Sequence, residues 1–326
     1  MEILVIGGIA AGMSVAAKAK RENKDANITV IEKENYISFG ACGLPYYLGK
    51  QFEDKNEMFA RTPDQIEKSG INLKLQHEVT RVDFNNKTVE IKNLINNEMT
   101  SMSYDRLMIA TGATPIVPPL EGIDAQNVYT FTRLEEVDRL KSNLDQYASI
   151  AVIGGGFIGV EVAEQLAGLN KKIHIIEAMS DVLSGPFDKE VTTEIKSALE
   201  GLNVGVHVDQ MANKIKIENG LAVGVETSKA TIKADAVIVS IGFRPNTAFL
   251  SGQLETLKNG AIVIDAYGQT SIENVFAAGD CATVPHRFAK DKYIPLATYA
   301  NKLGRLIGTN IVNDKKDWLK FEGALA

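Results

Sequence analysis

The chain has 326 residues, 45% of them apolar and 23% charged, which supports roughly two packed domains and excludes a disordered or fibrous protein. Its net charge of −6 leaves no basic footprint for nucleic acid or an anionic membrane, and no apolar run reaches the ~20 residues of a spanning helix. Cys42 and Cys281 make no disulfide framework, and the strand Ile3-Leu4-Val5-Ile6 begins without a charged and apolar leader, so a reduced, cytoplasmic setting is expected.

The first strand runs into Gly7-Gly8-Ile9-Ala10-Ala11-Gly12 and then a helical pattern. Gly7 suits a tight turn and Gly12 close packing of helix on strand, so that the helix start faces a pyrophosphate with its N–H groups and positive dipole end. Ile9 replaces the middle glycine of G-x-G-x-x-G, with Gly8 beside it. The next strand, Thr29-Val30-Ile31-Glu32, ends 20 residues past Gly12 in an acid placed to accept ribose hydroxyls, and Ala10 and Lys33 flank the same expected FAD site.

Ten residues past Glu32 lies Cys42, within Ser38-Phe39-Gly40-Ala41-Cys42-Gly43-Leu44-Pro45-Tyr46-Tyr47. Little bulk surrounds it, and the placement suggests a thiol delivered beside a bound flavin. A helix start after it favours the thiolate. A CxxxxC dithiol needs a cysteine at 37 or 47, where the chain has Ile37 and Tyr47, so the chemistry runs through one sulfur and an external partner, a small thiol or oxygen. A buried structural thiol is the commoner fate of a lone cysteine; the surrounding nucleotide motifs reverse that preference.

Strand-like alternation spans 79–92, and an apolar strand at 107–110 ends in Ala110-Thr111-Gly112, where Thr111 and Gly112 are candidate FAD contacts. The proline-rich piece 115–119 reads as a linker. Residues 150–159, IAVIGGGFIG, then repeat 3–12, ILVIGGIAAG, and His174-Ile175-Ile176-Glu177 closes the second unit 18 residues past its last glycine. A duplicated βαβ unit is far more specific than one glycine motif. Gly154, Gly156 and Gly159 complete the fingerprint around Phe157 and Ile158. Glu177 favours an unphosphorylated ribose, Ala178-Met179-Ser180 supply no clamp for a 2′-phosphate, and Lys171 and Lys172 read as solvated. NADH is therefore expected over NADPH.

A strand at 236–240 leads to Ile241-Gly242-Phe243-Arg244-Pro245, with Gly242 a further NAD contact, and a strand before Gly279-Asp280 follows. The local sequence leaves Asp280 open between a ligand for a ribityl hydroxyl and a plain N-cap. The helical pattern 296–312, entered through Pro295-Leu296-Ala297, suits a positive helix end aimed at the flavin N1/O2 region. Cys281 reads as structural. His77, His174, His207 and His286 lack metal-ligand spacing and read as solvated or packing residues, so no metal is expected.

In order and content these motifs resemble the FAD-dependent pyridine nucleotide–disulfide oxidoreductases from residue 3 to about 312, and most closely their single-cysteine branch: coenzyme A disulfide reductases and the related NADH oxidases and peroxidases. S-F-x-x-C-G-L-P-Y-Y at 38–47 is the most specific match, supported by A-T-G at 110–112, G-G-G-F-I-G-V-E at 154–161, G-F-R-P-N at 242–246, A-A-G-D-C-A at 277–282 and A-N-K-x-G-R at 300–305. Peroxidase and water-forming oxidase relatives carry a histidine in the first glycine loop; here that position is Ala10, which removes the acid–base partner for peroxide.

The resemblance implies an α/β chain of two Rossmann-like domains, an FAD domain of residues 1–113 and 243–326 with an NAD(P)H domain, 114–242, inserted in it. It implies FAD, NADH (with NADPH as second donor), and coenzyme A as substrate and adduct on Cys42. Ser14, Lys18, Arg21 and Arg61 fall where the family holds coenzyme A phosphate, with Ser38 and Asn301 as further substrate contacts; without the family, Lys18, Lys20 and Arg21 read as a solvated helix face. Phe157 takes the place of the aromatic gate on the nicotinamide side, and Glu161 matches a glutamate near the nicotinamide. The family continues into a domain that forms a homodimer interface; this chain stops where that domain should begin, so the C-terminal dimerisation domain is expected to be missing. The expected activity is reduction of coenzyme A disulfide or a related small disulfide. The alternatives are an NADH oxidase or peroxidase acting on oxygen or peroxide, and a truncated flavin-binding or redox-sensing protein.

Overall fold

The computed structural model describes residues 1–250, 252–289 and 292–324; Leu325 and Ala326, the last two residues of the expected FAD domain, lie outside them. Each glycine fingerprint heads its own parallel sheet. The first sheet has the spatial order Val275–Ala277, Arg106–Ile109, Glu2–Ile6, Asn27–Glu32, Asn72–Leu75. Its central strands are covered on both sides, so they read as continuous apolar runs rather than alternation: Ile3, Leu4 and Val5 pair with Ile28, Thr29 and Val30, all buried. The first helix, Ala10–Glu22, buries Val15, Ala16 and Ala19 and packs on the last helix, Ala297–Asn310. The two helices come close because Gly304 and Gly308 lack side chains: a Cβ would stand 2.7 Å from the Ser14 Cβ and 2.6 Å from the Lys18 Cβ respectively.

The alternation at 79–92 resolves into two antiparallel strands, His77–Asp83 and Thr88–Asn93, in a three-stranded sheet with Met99–Ser103. The break falls where the Asp83 carboxylate accepts the N–H groups of Asn85 and Asn86 and turns the chain.

The second parallel sheet runs Gly205–His207, Lys172–Ile176, Ser149–Ile153, Ala236–Val239, Val128–Thr130. A second antiparallel sheet, Ala212–Glu218, Leu221–Thr227 and Thr231–Lys233, accompanies it, and Ile215 and Val225 bury against Ile153, Val237 and Val239.

Contacts divide the chain into one unit of Met1–Gly40, Glu57–Thr114 and Arg244–Ala326 and another of Ala41–Asn56 and Pro115–Phe243. Apart from one-residue shifts at Thr114 and Phe243, this differs from the expected division in one segment: residues 41–56, placed with the first unit by sequence order, pack with the second. Leu44 and Leu48 of the short helix Leu44–Leu48 are buried, and that helix packs on Phe157–Ala167 and Leu134–Asn143. Tyr47 is gripped at both ends by the latter helix. Its hydroxyl donates to Asp138 (3.0 Å), while the Lys141 ammonium lies 3.4 Å from the ring centroid and donates to the Tyr47 carbonyl (3.0 Å). Lys55 adds an ion pair to Asp138 at 2.9 Å.

Candidate active site

In the first unit, Gly7 has φ +100°, and a Cβ there would lie 2.1 Å from the Ala110 carbonyl oxygen, so the turn admits no side chain. The helix that follows has Ile9 at its N-cap, without a side-chain cap and without an acid in its first turn; Ala10 is half-buried at its start. Gly8 N–H donates to Glu32 Oε2 (2.6 Å). Burial raises the Glu32 carboxyl above the ordinary range, and the backbone N–H groups of Glu34 and Gly8 pull against that shift. Lys33 is half-buried beside it. Thr111 Oγ1 donates to the Asn246 carbonyl (2.8 Å), and the Asn246 amide returns a bond to the Thr111 carbonyl (3.0 Å), leaving Gly112 in open space.

Asp280 sits in a turn after the Val275–Ala277 strand, not at a helix start, so the plain N-cap reading is not what the fold uses. Burial raises its carboxyl. Gly279 beside it has φ +82°. Pro295 is half-buried, Leu296 is the uncapped N-cap of the last helix, and Ala297 is exposed at its first turn.

The second unit repeats the design. Gly154 has φ +107° with its missing Cβ 2.5 Å from the Ser240 carbonyl oxygen, and Gly155 N–H donates to Glu177 Oε2 (2.6 Å). Gly156 is the uncapped N-cap of Phe157–Ala167 and opens onto free space, while Gly159 packs against the Gly154 carbonyl. Phe157 is 48% exposed and meets Phe187 edge-on, ring centroids 5.9 Å apart. Phe187 comes from a loop 30 residues further on, and no spacing rule pointed to it. Ile158 is half-buried, Gly242 takes φ +111°, and burial, with Glu164 nearby, raises the Glu161 carboxyl.

Lys171 is not a solvated residue: its ammonium donates to the carbonyls of Leu144 (2.9 Å) and Tyr147 (2.7 Å). His174 and His207, on neighbouring strands, bond to one another at 3.0 Å, and burial lowers both below the ordinary imidazole range. Lowered folded-state values mean that the unfolded chain takes up protons first as pH falls, so this contribution is complete above about pH 7, begins to be lost near the usual histidine value of about 6.5, and goes on falling down to the lowered folded-state values. The urea midpoint is therefore expected to fall between pH 8 and pH 5, with a shallower fall in a His174→Asn, His207→Asn variant.

Cys42 is exposed, within the single turn Ala41–Gly43 that leads into the helix Leu44–Leu48. Cys281 is fully buried, its thiol pushed up to about 11 by desolvation and its sulfur set against the Ile109 and Ala278 carbonyls, which makes it inert. Among the expected substrate residues, Ser14 and Asn301 meet, Oγ donating to Oδ1 at 2.9 Å. Lys18 is turned to Glu22 on its own helix, and Arg21 and Arg61 are exposed. Ser38 is half-buried in a left-handed conformation (φ +54°), with its N–H on the Gly8 carbonyl at 2.9 Å. Among the described residues, no three histidine, cysteine or acidic side chains gather to hold a metal, and no helix is long and apolar enough to cross a membrane.

The profile of the pyridine nucleotide-disulphide oxidoreductases matches residues 1–304. The chain belongs to this family. The oxidoreductase is 33% identical over 328 residues to an NADH oxidase of Enterococcus faecalis, covering 99% of this chain and 73% of the relative. It is likewise 33% identical to an NAD(P)H coenzyme A polysulfide/persulfide reductase of Pyrococcus horikoshii, covering 99% and 72%. The water-forming NADH oxidase of Lactobacillus brevis, solved with NADH, superposes with a TM-score of 0.94 at 33% identity, over 98% of this chain and 71% of that one. The protein is thus an FAD-dependent NAD(P)H oxidoreductase with a Rossmann-type α/β fold.

Its residues fit dinucleotide phosphates. Among the described α-helices of ten residues or more, Ala10–Glu22, Phe157–Ala167 and Ala297–Asn310 have neither a side-chain cap nor a first-turn acid, whereas Leu134–Asn143 and Lys189–Gly201 carry Glu135, Glu136 and Glu190 in their first turns. Orphan N–H groups and an uncompensated positive end are retained where an anion is to be bound.

Proposed function

We propose that this oxidoreductase reduces coenzyme A disulfide, or a related small disulfide, with Cys42 as its redox sulfur. The observation that carries this reading is an exposed cysteine at the head of a firmly seated helix, while the other cysteine is buried and inert. Relatives named as coenzyme A-dependent sulfur reductases support it. The Cys42 thiolate attacks one sulfur of the disulfide, that S–S bond breaks, and one coenzyme A thiolate leaves and takes a proton. FAD, when bound, supplies the two-electron link between NADH and sulfur. Two electrons from NADH then open the mixed disulfide, restoring the Cys42 thiolate and releasing the second coenzyme A thiol; overall, NADH, one proton and the disulfide give NAD⁺ and two thiols.

In this reading FAD is held through Gly7, Gly8, Gly12, Glu32, Thr111, Gly112, Gly279, Asp280 and the start of the last helix. The dinucleotide is held through Gly154, Gly156, Gly159, Glu161, Glu177 and Gly242, with Phe157 over the nicotinamide site. Ser14, Arg21 and Arg61 approach the coenzyme A phosphates. A cytoplasmic homodimer is part of the same proposal. Since the Glu177 carboxylate repels a 2′-phosphate, kcat/KM with NADH is expected to exceed that with NADPH by about tenfold or more; equal values in steady-state assays would remove Glu177 from that role.

Intact mass of the purified, unreduced protein tests the sulfur chemistry. A coenzyme A-sized adduct that dithiothreitol removes and that maps to Cys42 is expected. The oxidase names among the relatives favour a second reading, electron transfer to oxygen through a Cys42 sulfenate. A gain of one oxygen atom at Cys42, and NADH turnover in air but not under nitrogen with disulfide present, would replace the first reading with the second.

A further inference from the structure

The acid that ends the second strand of each unit turns back onto its own glycine loop. Glu32 accepts the Gly8 N–H at Oε2 (2.6 Å) and the Glu34 N–H at Oε1 (2.9 Å). Glu177 accepts the Gly155 N–H at Oε2 (2.6 Å) and the Met179 N–H at Oε1 (2.7 Å). The residues after the two acids differ, Lys33-Glu34 against Ala178-Met179, so the shared geometry does not come from local identity. The packing agrees with the bonding: a Cβ at Gly8 would lie 3.3 Å from the Glu32 Cβ, and one at Gly155 3.2 Å from the Glu177 Cβ. Among the described residues neither carboxylate has a lysine or arginine ion pair; backbone donors hold both. A buried carboxylate is costly unless its lone pairs are satisfied, and two N–H groups, one from each side of the loop-and-strand junction, do this for Glu32.

We infer that Glu32 and Glu177 are positioning residues for the two glycine loops, each holding its loop in the phosphate-ready form before a nucleotide arrives. Each carboxylate oxygen keeps a further lone pair, so a ribose hydroxyl can bind without displacing the loop. Cofactor preference and loop order are then coupled. A substitution at 177 that admits a 2′-phosphate also strips the Gly155 N–H of its acceptor. The second loop has an additional tie, with Ser240 Oγ donating to the Ile153 and Gly154 carbonyls (both 3.2 Å), while the first loop has Ala110 at the matching place. Loss of Glu32 is therefore the more disruptive change.

Amide hydrogen exchange on the flavin-loaded protein, without pyridine nucleotide, tests this. In Glu177→Gln, the glutamine can keep only one of the two bonds, so Gly155 or Met179 N–H exchanges about tenfold faster or more, and in Glu177→Ala both do, while the Ile150–Ile153 strand amides hold. Wild-type exchange at both amides in Glu177→Gln would overturn the inference and confine the acid to the ribose. Glu177→Gln keeps the test open if the alanine variant fails to fold.

Discussion

Replacing Cys42 by serine lowers NADH-dependent reduction of coenzyme A disulfide by about a thousandfold or more and leaves FAD bound. A hydroxyl is a far poorer nucleophile than a thiolate at neutral pH and cannot form a mixed disulfide. The site is exposed and the change is nearly isosteric, so the fold should not suffer; the residue that packs this segment is Tyr47, five residues on, and it stays. Flavin absorbance after gel filtration checks cofactor retention, and anaerobic NADH consumption with the disulfide checks turnover. Unchanged turnover would end the single-sulfur mechanism.

The second large effect comes from the first glycine of each loop. Alanine at Gly7 faces both a φ of +100° and a carbonyl oxygen 2.1 Å from its Cβ; alanine at Gly154 faces +107° and 2.5 Å. The backbone strain costs about 1–3 kcal/mol and the overlap a further 1–3 kcal/mol or so. Gly7→Ala is expected to purify without FAD and with a depressed Tm. Gly154→Ala should keep its FAD and show a KM for NADH raised about tenfold or more. The reverse pattern, with flavin lost from the Gly154 variant alone, would exchange the cofactor assignments of the two units.

Much of this was legible in the sequence because the features are local. Each loop needs a glycine where φ is positive and an acid where a parallel strand ends, and both leave marks at fixed spacing, at Gly7 and Glu32 and again at Gly154 and Glu177. Parallel strands buried on both faces also announce themselves as apolar runs. Long-range contacts left no such mark. The grip of Asp138 and Lys141 on Tyr47 joins residues more than 90 apart, and chain order alone does not show that 41–56 make their contacts with 115–243. Phe187 beside Phe157, and the half-buried Lys171 bonded to two carbonyls, were missed for the same reason. The Lys18–Glu22 pair is local, at a spacing of four, and a charge-pattern reading of the helix finds it.

The seating of residues 41–56 has a consequence for cutting this enzyme into parts. A fragment expressed as 115–243 would be contiguous in the gene yet would leave uncovered the surface on which Leu44, Tyr47 and Leu48 rest. Such an apolar scar invites aggregation. A soluble minimal module would need the 41–56 piece restored in cis, through a linker or a circular permutation, so the natural seams of the molecule do not follow the order in which its gene is read.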